Sequence, residues 1–216
     1  MNKIEIFSQM ERSIIDGNKQ EAEKLAKYAI ENNMELTKVI EKGFVPGIQK
    51  VGQLWEKGEY FLPELITSAE CMKAAMAILQ PELERCQIST KSYGKIVIGT
   101  VEGDIHDIGK NLVASMLSAN GFEVVDLGAD VKLDKFIEKA KEINADFICL
   151  SALLTTTMLG QKRLIEMLKE KNLYGKFRVM VGGAPVNRKW AEDIGADGYA
   201  ENAMAAVQVM KNLLNN

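Results

Sequence analysis

The sequence predicts an α/β protein in two parts, an antiparallel four-helix bundle followed by a doubly wound five-stranded parallel sheet. Two observations predict it. Apolar residues recur at spacings of three and four through the first part, and short β-rich runs separated by helical ones fill the second. The pattern changes near "ERCQISTKSYGK", Glu84 to Lys95.

In the first part, Ile4 to Asp16, Lys19 to Glu31 and Leu36 to Trp55 carry helical periodicity, with "DGN" and "ENN" as breaks. The fourth helix lies in "LPELITSAECMKAAMAILQPEL". There Leu62, Leu65, Ile66, Ala69, Met72, Met76, Leu79 and Leu83 make one apolar stripe, and Pro63 suits a first turn. "EKGEY" reads as a solvated turn before it. In the second part the strands are "KIVIGTV", "EVVDLG", "DFICLSAL", "RVMVGGA" and a weak "DGYA". The length suits the flavodoxin-like, or Rossmann-like, order in which the first and third strands are neighbours. Ligands of such sheets bind beyond the strands' C-terminal ends, where the winding reverses.

Composition removes several function classes. A chain of 216 residues, 47% hydrophobic and 26% charged, can bury one large core or two modest ones. A net charge of −3 without a dense basic tract gives neither nucleic acid nor an acidic membrane an electrostatic footprint. The N-terminal "MNKIEIFSQMERSIIDG" has no uninterrupted apolar core, so neither a signal peptide nor a membrane anchor is expected, and the expected location is the cytoplasm. Cys71, Cys86 and Cys149 are widely spaced and odd in number, which suits buried thiols better than disulfides or a thiolate metal site. With a single histidine in the chain, a self-contained zinc enzyme is disfavoured.

That histidine lies in "TVEGDIHDIGKNLV", directly after the first strand. The predicted topology brings three loops to one sheet edge. The first carries Gly103, Asp104, Ile105, His106, Asp107 and Gly109; the second Ser151, Leu153, Thr155 and Thr157; the third Gly182 and Gly183. A ligating imidazole is usually oriented by a carboxylate on its other nitrogen, and Asp104 stands two residues away. One protein ligand cannot hold a bare divalent ion, so a metal must arrive already chelated, in haem or in a corrinoid. The glycines Gly109, Gly182 and Gly183 favour a ligand with a long appendage that approaches backbone closely. The structural alternatives are a histidine with no ligand, hydroxyls from Ser151 to Thr157 that cap the next helix, and Trp55 and Leu62 as ordinary bundle core.

"DIHDIGKN", "SALLTTT" and "GGAP", in this order and preceded by "VGQLWEKGEYFLPEL", resemble the D-x-H-x-x-G, S-x-L, G-G and cap signatures of cobalamin-binding proteins. The resemblance covers nearly the whole chain. It is greatest to the corrinoid proteins of methylamine, methanol and quaternary-amine methyltransferase systems, relatives of the cobalamin-binding module of methionine synthase. It implies a helical cap domain over residues 1–90 and a Rossmann-like cobalamin-binding domain over 91–216. It implies cobalamin or a related corrinoid as cofactor, with His106 as the axial cobalt ligand in place of dimethylbenzimidazole, and Asp104 and Thr157 as its proton relay. Gly109, Ser151, Leu153, Thr155, Gly182 and Gly183 would line the nucleotide-tail channel, with Ala203 near its rim. Trp55, where methionine synthase has phenylalanine, and Leu62 would shield the upper face, with Glu41 a further contact there.

The implied function is that of a methyl carrier, not an enzyme in its own right. Cobalt(I) takes a methyl group from a substrate-specific corrinoid methyltransferase, and methyl-cobalt(III) gives it to a second methyltransferase acting on coenzyme M or tetrahydrofolate. A reductive activase completes the expected partners. A cobalamin-binding mutase subunit and a cobalamin or light sensor are the competing readings. The mutase subunit normally lacks the cap, and the sensor needs a further domain. A cofactor-free receiver-like domain leaves the glycine pair unexplained.

Overall fold

The computed structural model describes residues 3–85 and 92–215. Cys86 and residues 87–91 of the expected divide lie outside the described residues. The chain forms two compact units, Met1–Lys91 and Ser92–Asn216.

The first unit is a four-helix bundle of α1 (Lys3–Ile15), α2 (Lys19–Glu31), a third rod made of α3 (Leu36–Val39), a π-helical turn (Ile40–Phe44) and α4 (Val45–Glu56), and α5 (Leu62–Arg85). The π turn has a local cause. Pro46 brings no N–H to the helical ladder, and just before it the Val45 N–H reaches back to the Ile40 carbonyl, an i to i−5 bond. The bundle core holds Ile6, Met10, Ile14, Leu25, Phe44, Ile48, Leu65, Leu79 and Leu83. Two members of the expected α5 stripe are exposed instead: Leu62 is 43% and Ile66 46% exposed, and Phe61 beside them is 64% exposed. Their spacing places them on the flank of the stripe, where the helices facing α5 do not reach.

The second unit alternates β1 (Lys95–Thr100), α6 (Ile108–Ala119), β2 (Glu123–Asp126), α7 (Leu133–Ile143), β3 (Phe147–Ser151), α8 (Leu159–Glu170), β4 (Arg178–Gly182), α9 (Arg188–Ile194), β5 (Gly198–Tyr199) and α10 (Ala203–Asn215). The strands are all parallel in the order β2-β1-β3-β4-β5. β1 and β3 are apolar on both faces because helices cover both: α7, α8 and α9 on one side, α6 and α10 on the other. Winding reverses between β1 and β3, whose last paired residues are Thr100 and Ser151, and Ser151 in turn pairs with Gly182. Three loops therefore open side by side on the C-terminal edge of the sheet.

Candidate cofactor site

The β1 loop is built around Asp104. The loop turns at Gly103, whose φ is +83°, and the Gly103 N–H donates to Asp130 Oδ1 at 2.8 Å. The Thr100 hydroxyl, fully buried at the end of β1, donates to the His106 carbonyl at 3.0 Å. These bonds pull the Asp104 side chain into the interior, where it is fully buried.

Four donors meet that carboxylate. Oδ1 accepts from the His106 N–H at 3.1 Å and stands 2.8 Å from His106 Nδ1; Oδ2 accepts from the Leu153 N–H at 2.7 Å and the Thr157 hydroxyl at 2.7 Å. Thr157 Oγ1 also lies 3.0 Å from the Leu154 carbonyl, but its single proton favours the charged acceptor at the shorter distance. Burial pushes the Asp104 carboxyl up, yet the bonds from Thr157, Leu153 and His106 outweigh it and hold the group well below the usual carboxylate range. A permanent anion at Nδ1 keeps the proton on that nitrogen. Nε2 then carries the lone pair, on a ring that is 47% exposed.

The other loops add backbone and apolar surface. Ile105 in the first loop, Ile108 at the start of α6, Leu153 and Leu154 in the second loop and Leu159 at the start of α8 are 41% to 84% exposed. Ser151 is half-buried at the end of β3, and Thr155 is exposed on the turn after it. The alternative, a hydroxyl cap on α8, is not formed: Met158 stands at the N-cap of that helix without a side-chain bond, and Thr157 bonds Asp104 instead. Asp107 binds the Asn111 side chain at 3.0 Å rather than the histidine.

Gly109 and Gly183 turn out to be glycine for opposite reasons. At Gly109 a methyl group would meet nothing within 4 Å, so its backbone stands open to a ligand. At Gly183, with φ +126°, it would come within 1.7 Å of the Ala152 carbonyl oxygen. Close packing of the β3 and β4 ends requires that glycine whether or not a ligand approaches. Gly182 is half-buried with ordinary room around it. Ala203 is buried at the start of α10.

Two family models, each described as B12 binding domain, match residues 94–208 and 6–80. The chain belongs to the B12 binding domain family. Curated relatives of this B12-binding-domain protein include "Corrinoid protein DSY3155" of Desulfitobacterium hafniense, 48% identical over 97% of both chains. "Trimethylamine corrinoid protein 1" of Methanosarcina mazei is 47% identical over 99% of both. Among solved structures, a cobalamin-binding protein from Desulfitobacterium hafniense superposes with a TM-score of 0.77, at 32% identity over 98% of both chains. A methanol:cobalamin methyltransferase complex from Methanosarcina barkeri gives 0.87, at 29% identity over 100% of this chain and 81% of that one.

The site's chemistry fits the group the family name implies. Among the described residues no cluster of three or more His, Cys, Asp or Glu side chains could chelate a metal ion. One imidazole with a directed lone pair, on a sheet edge whose loops and helix starts leave aliphatic side chains exposed, suits a metal held in a large apolar macrocycle. In the helical unit of this B12-binding-domain protein, Trp55 is half-buried near the end of α4, Glu41 is exposed on the π turn, and Leu62 opens α5 exposed, so Leu62 is not bundle core. Among the described residues no helix is long and apolar enough to cross a membrane.

Sequence reasoning overlooked Lys110, Asp126, Asp130 and Gln161. Gln161 is fully buried, donating to the Leu150 and Gly182 carbonyls at 3.1 and 3.0 Å and accepting from Trp190 Nε1 at 3.0 Å. It ties the ends of β3 and β4 together beneath the second and third loops. A signal existed: Gln161 shares a helix face with Leu164, Ile165 and Leu168, a polar residue on the buried stripe of α8.

Proposed function

We propose that the chain is a corrinoid methyl carrier, with His106 as the axial cobalt ligand. The observation that carries this reading is the His106 ring, held at Nδ1 by a buried, anionic Asp104 and itself half exposed. The corrinoid, when bound, supplies the cobalt on which a methyl group is carried. The protein's part is to orient and tune. Asp104 fixes the tautomer, Thr157 and the Leu153 N–H hold Asp104, and the side chains of His106, Asp104 and Thr157 would form the proton relay.

The same reading assigns the cofactor's appendage to the backbone around Gly109, Ser151, Leu153, Thr155, Gly182 and Gly183. It assigns shielding of the opposite face to Trp55 and Leu62 of a 1–90 cap domain, with Glu41 beside them, and cofactor binding to a 91–216 domain. Its partners are a substrate-specific corrinoid methyltransferase, a second methyltransferase acting on coenzyme M or tetrahydrofolate, and a reductive activase, all in the cytoplasm. Relatives named for trimethylamine and dimethylamine, and a solved neighbour that is a complex with a methanol methyltransferase, support a carrier whose methyl donor is chosen by its partner.

The test is reconstitution with hydroxocobalamin, beside His106→Ala, followed by ultraviolet–visible spectroscopy and electron paramagnetic resonance of the cobalt(II) state. Stoichiometric binding with nitrogen coupling that disappears in His106→Ala is the expected result. Coordination unchanged by that substitution would sink the assignment.

A further inference from the structure

Lys110 is the third residue of α6, and its side chain is 1% exposed. A buried cation in the first turn of a helix opposes both the helix dipole and the cost of leaving water. Its ammonium group is fully engaged, donating to Asn111 Oδ1 at 2.6 Å and to Asp126 Oδ1 and Oδ2 at 2.6 and 2.5 Å. A pair of a buried cation and a carboxylate at the surface is weak support for stability alone, since an apolar side chain usually fills the cation's space as well.

Its placement gives another purpose. Asp126 ends β2, and its Oδ1 also accepts the Gly128 N–H at 2.8 Å. The Gly128 carbonyl accepts the Thr100 N–H at 2.9 Å, and the Thr100 hydroxyl donates to the His106 carbonyl at 3.0 Å. The loop that carries His106 leaves the sheet at Thr100 and re-enters structure at α6. The segment Asp126 to Gly128 therefore grips both ends of that loop, one through Thr100 and the other through Lys110.

We propose that Lys110 and Asp126 are a positioning pair that braces the two ends of the His106 loop and so sets how completely the imidazole reaches the cobalt. The inference rests on the reading of His106 as axial ligand. Asp104 orients the ring; the Lys110–Asp126 brace locates the backbone from which the ring projects. Lys110 has no proton left for the cofactor in this role, because Asn111 and Asp126 take up its ammonium group.

The experiment uses the full chain loaded with hydroxocobalamin and reduced to cobalt(II), in wild type, His106→Ala, Lys110→Met and Asp126→Asn. It reads nitrogen coupling to cobalt, corrinoid affinity, and the Tm of each apo protein. Asp126 is 36% exposed, and asparagine keeps an oxygen for Gly128, so that variant carries the test if Lys110→Met does not fold. Each folded, corrinoid-saturated variant is expected to show a roughly tenfold fall in the ratio of histidine-coordinated to uncoordinated cobalt, equivalent to about 1.4 kcal/mol. A lowered Tm with wild-type nitrogen coupling overturns the inference, since the pair then serves the fold alone. Absence of His106-dependent coupling in wild type is a different failure, which removes the ligand assignment itself.

Discussion

Replacing Asp104 by asparagine tests the hydrogen-bond account of the site without any cofactor. The carboxylate accepts four bonds, two at each oxygen. Asparagine keeps one acceptor oxygen, which can stay on the His106 side. Its Nδ2 then faces the Leu153 N–H and the Thr157 hydroxyl. Thr157 can turn its proton to the Leu154 carbonyl, 3.0 Å away, but the Leu153 N–H is left pointing at another donor. One stranded donor costs about 1–2 kcal/mol, and converting the remaining charge-assisted bonds to neutral ones costs about as much again. The sum is about 3 kcal/mol, or about 10 °C in the Tm of a unit of this size. Thermal denaturation of the apo protein followed by circular dichroism at neutral pH measures it. A fall of less than about 3 °C, well under the roughly 10 °C calculated, would show that Asp104 is not held by these donors and would refute the argument.

Other expectations follow from single contacts. Gly183→Ala drives a methyl group into the Ala152 carbonyl at an unfavourable φ and should cost about 3 kcal/mol or more in urea denaturation. Gly109→Ala meets nothing, so apo stability should hold or rise by about 0.5–1 kcal/mol while titration shows weaker cobalamin binding. Gln161→Leu strands the Trp190 indole N–H and removes the bonds to the Leu150 and Gly182 carbonyls, the second of which keeps the Ala152 N–H, so a loss of about 1–3 kcal/mol is expected in the same denaturation assay. Burial pushes the Cys149 thiol up to about 12, so in the native protein it should resist iodoacetamide at mildly alkaline pH. The unfolded thiol releases its proton near pH 8.5 while the folded one keeps it, so stability should fall as pH rises above about 8.5, with a smaller fall in Cys149→Ala.

The elements of the fold were legible because their signals are local. Short β-rich runs located β1 to β5 and period-3.6 patterning the rods of the bundle, including a third rod that contains a π turn. The spacing Asp104-x-His106 likewise placed a carboxylate within reach of a ring through one short loop. Patterning was misleading at the margin of a stripe, where Leu62 and Ile66 have core spacing but no facing helix to cover them.

What the sequence by itself determined is the set of local preferences: which segments are strands and helices, which loop carries the only histidine, and which residue can orient it. Only the tertiary structure decided which distant groups complete those preferences. Leu153 and Thr157 reach Asp104 across a separation of 49 and 53 residues, Lys110 finds Asp126, and the Ala152 carbonyl dictates Gly183. The physical reason is that a strand order of β2-β1-β3-β4-β5 brings loops together by winding the chain past itself. Periodicity records whether a side chain is covered; the atom that covers it is chosen by the neighbouring strand.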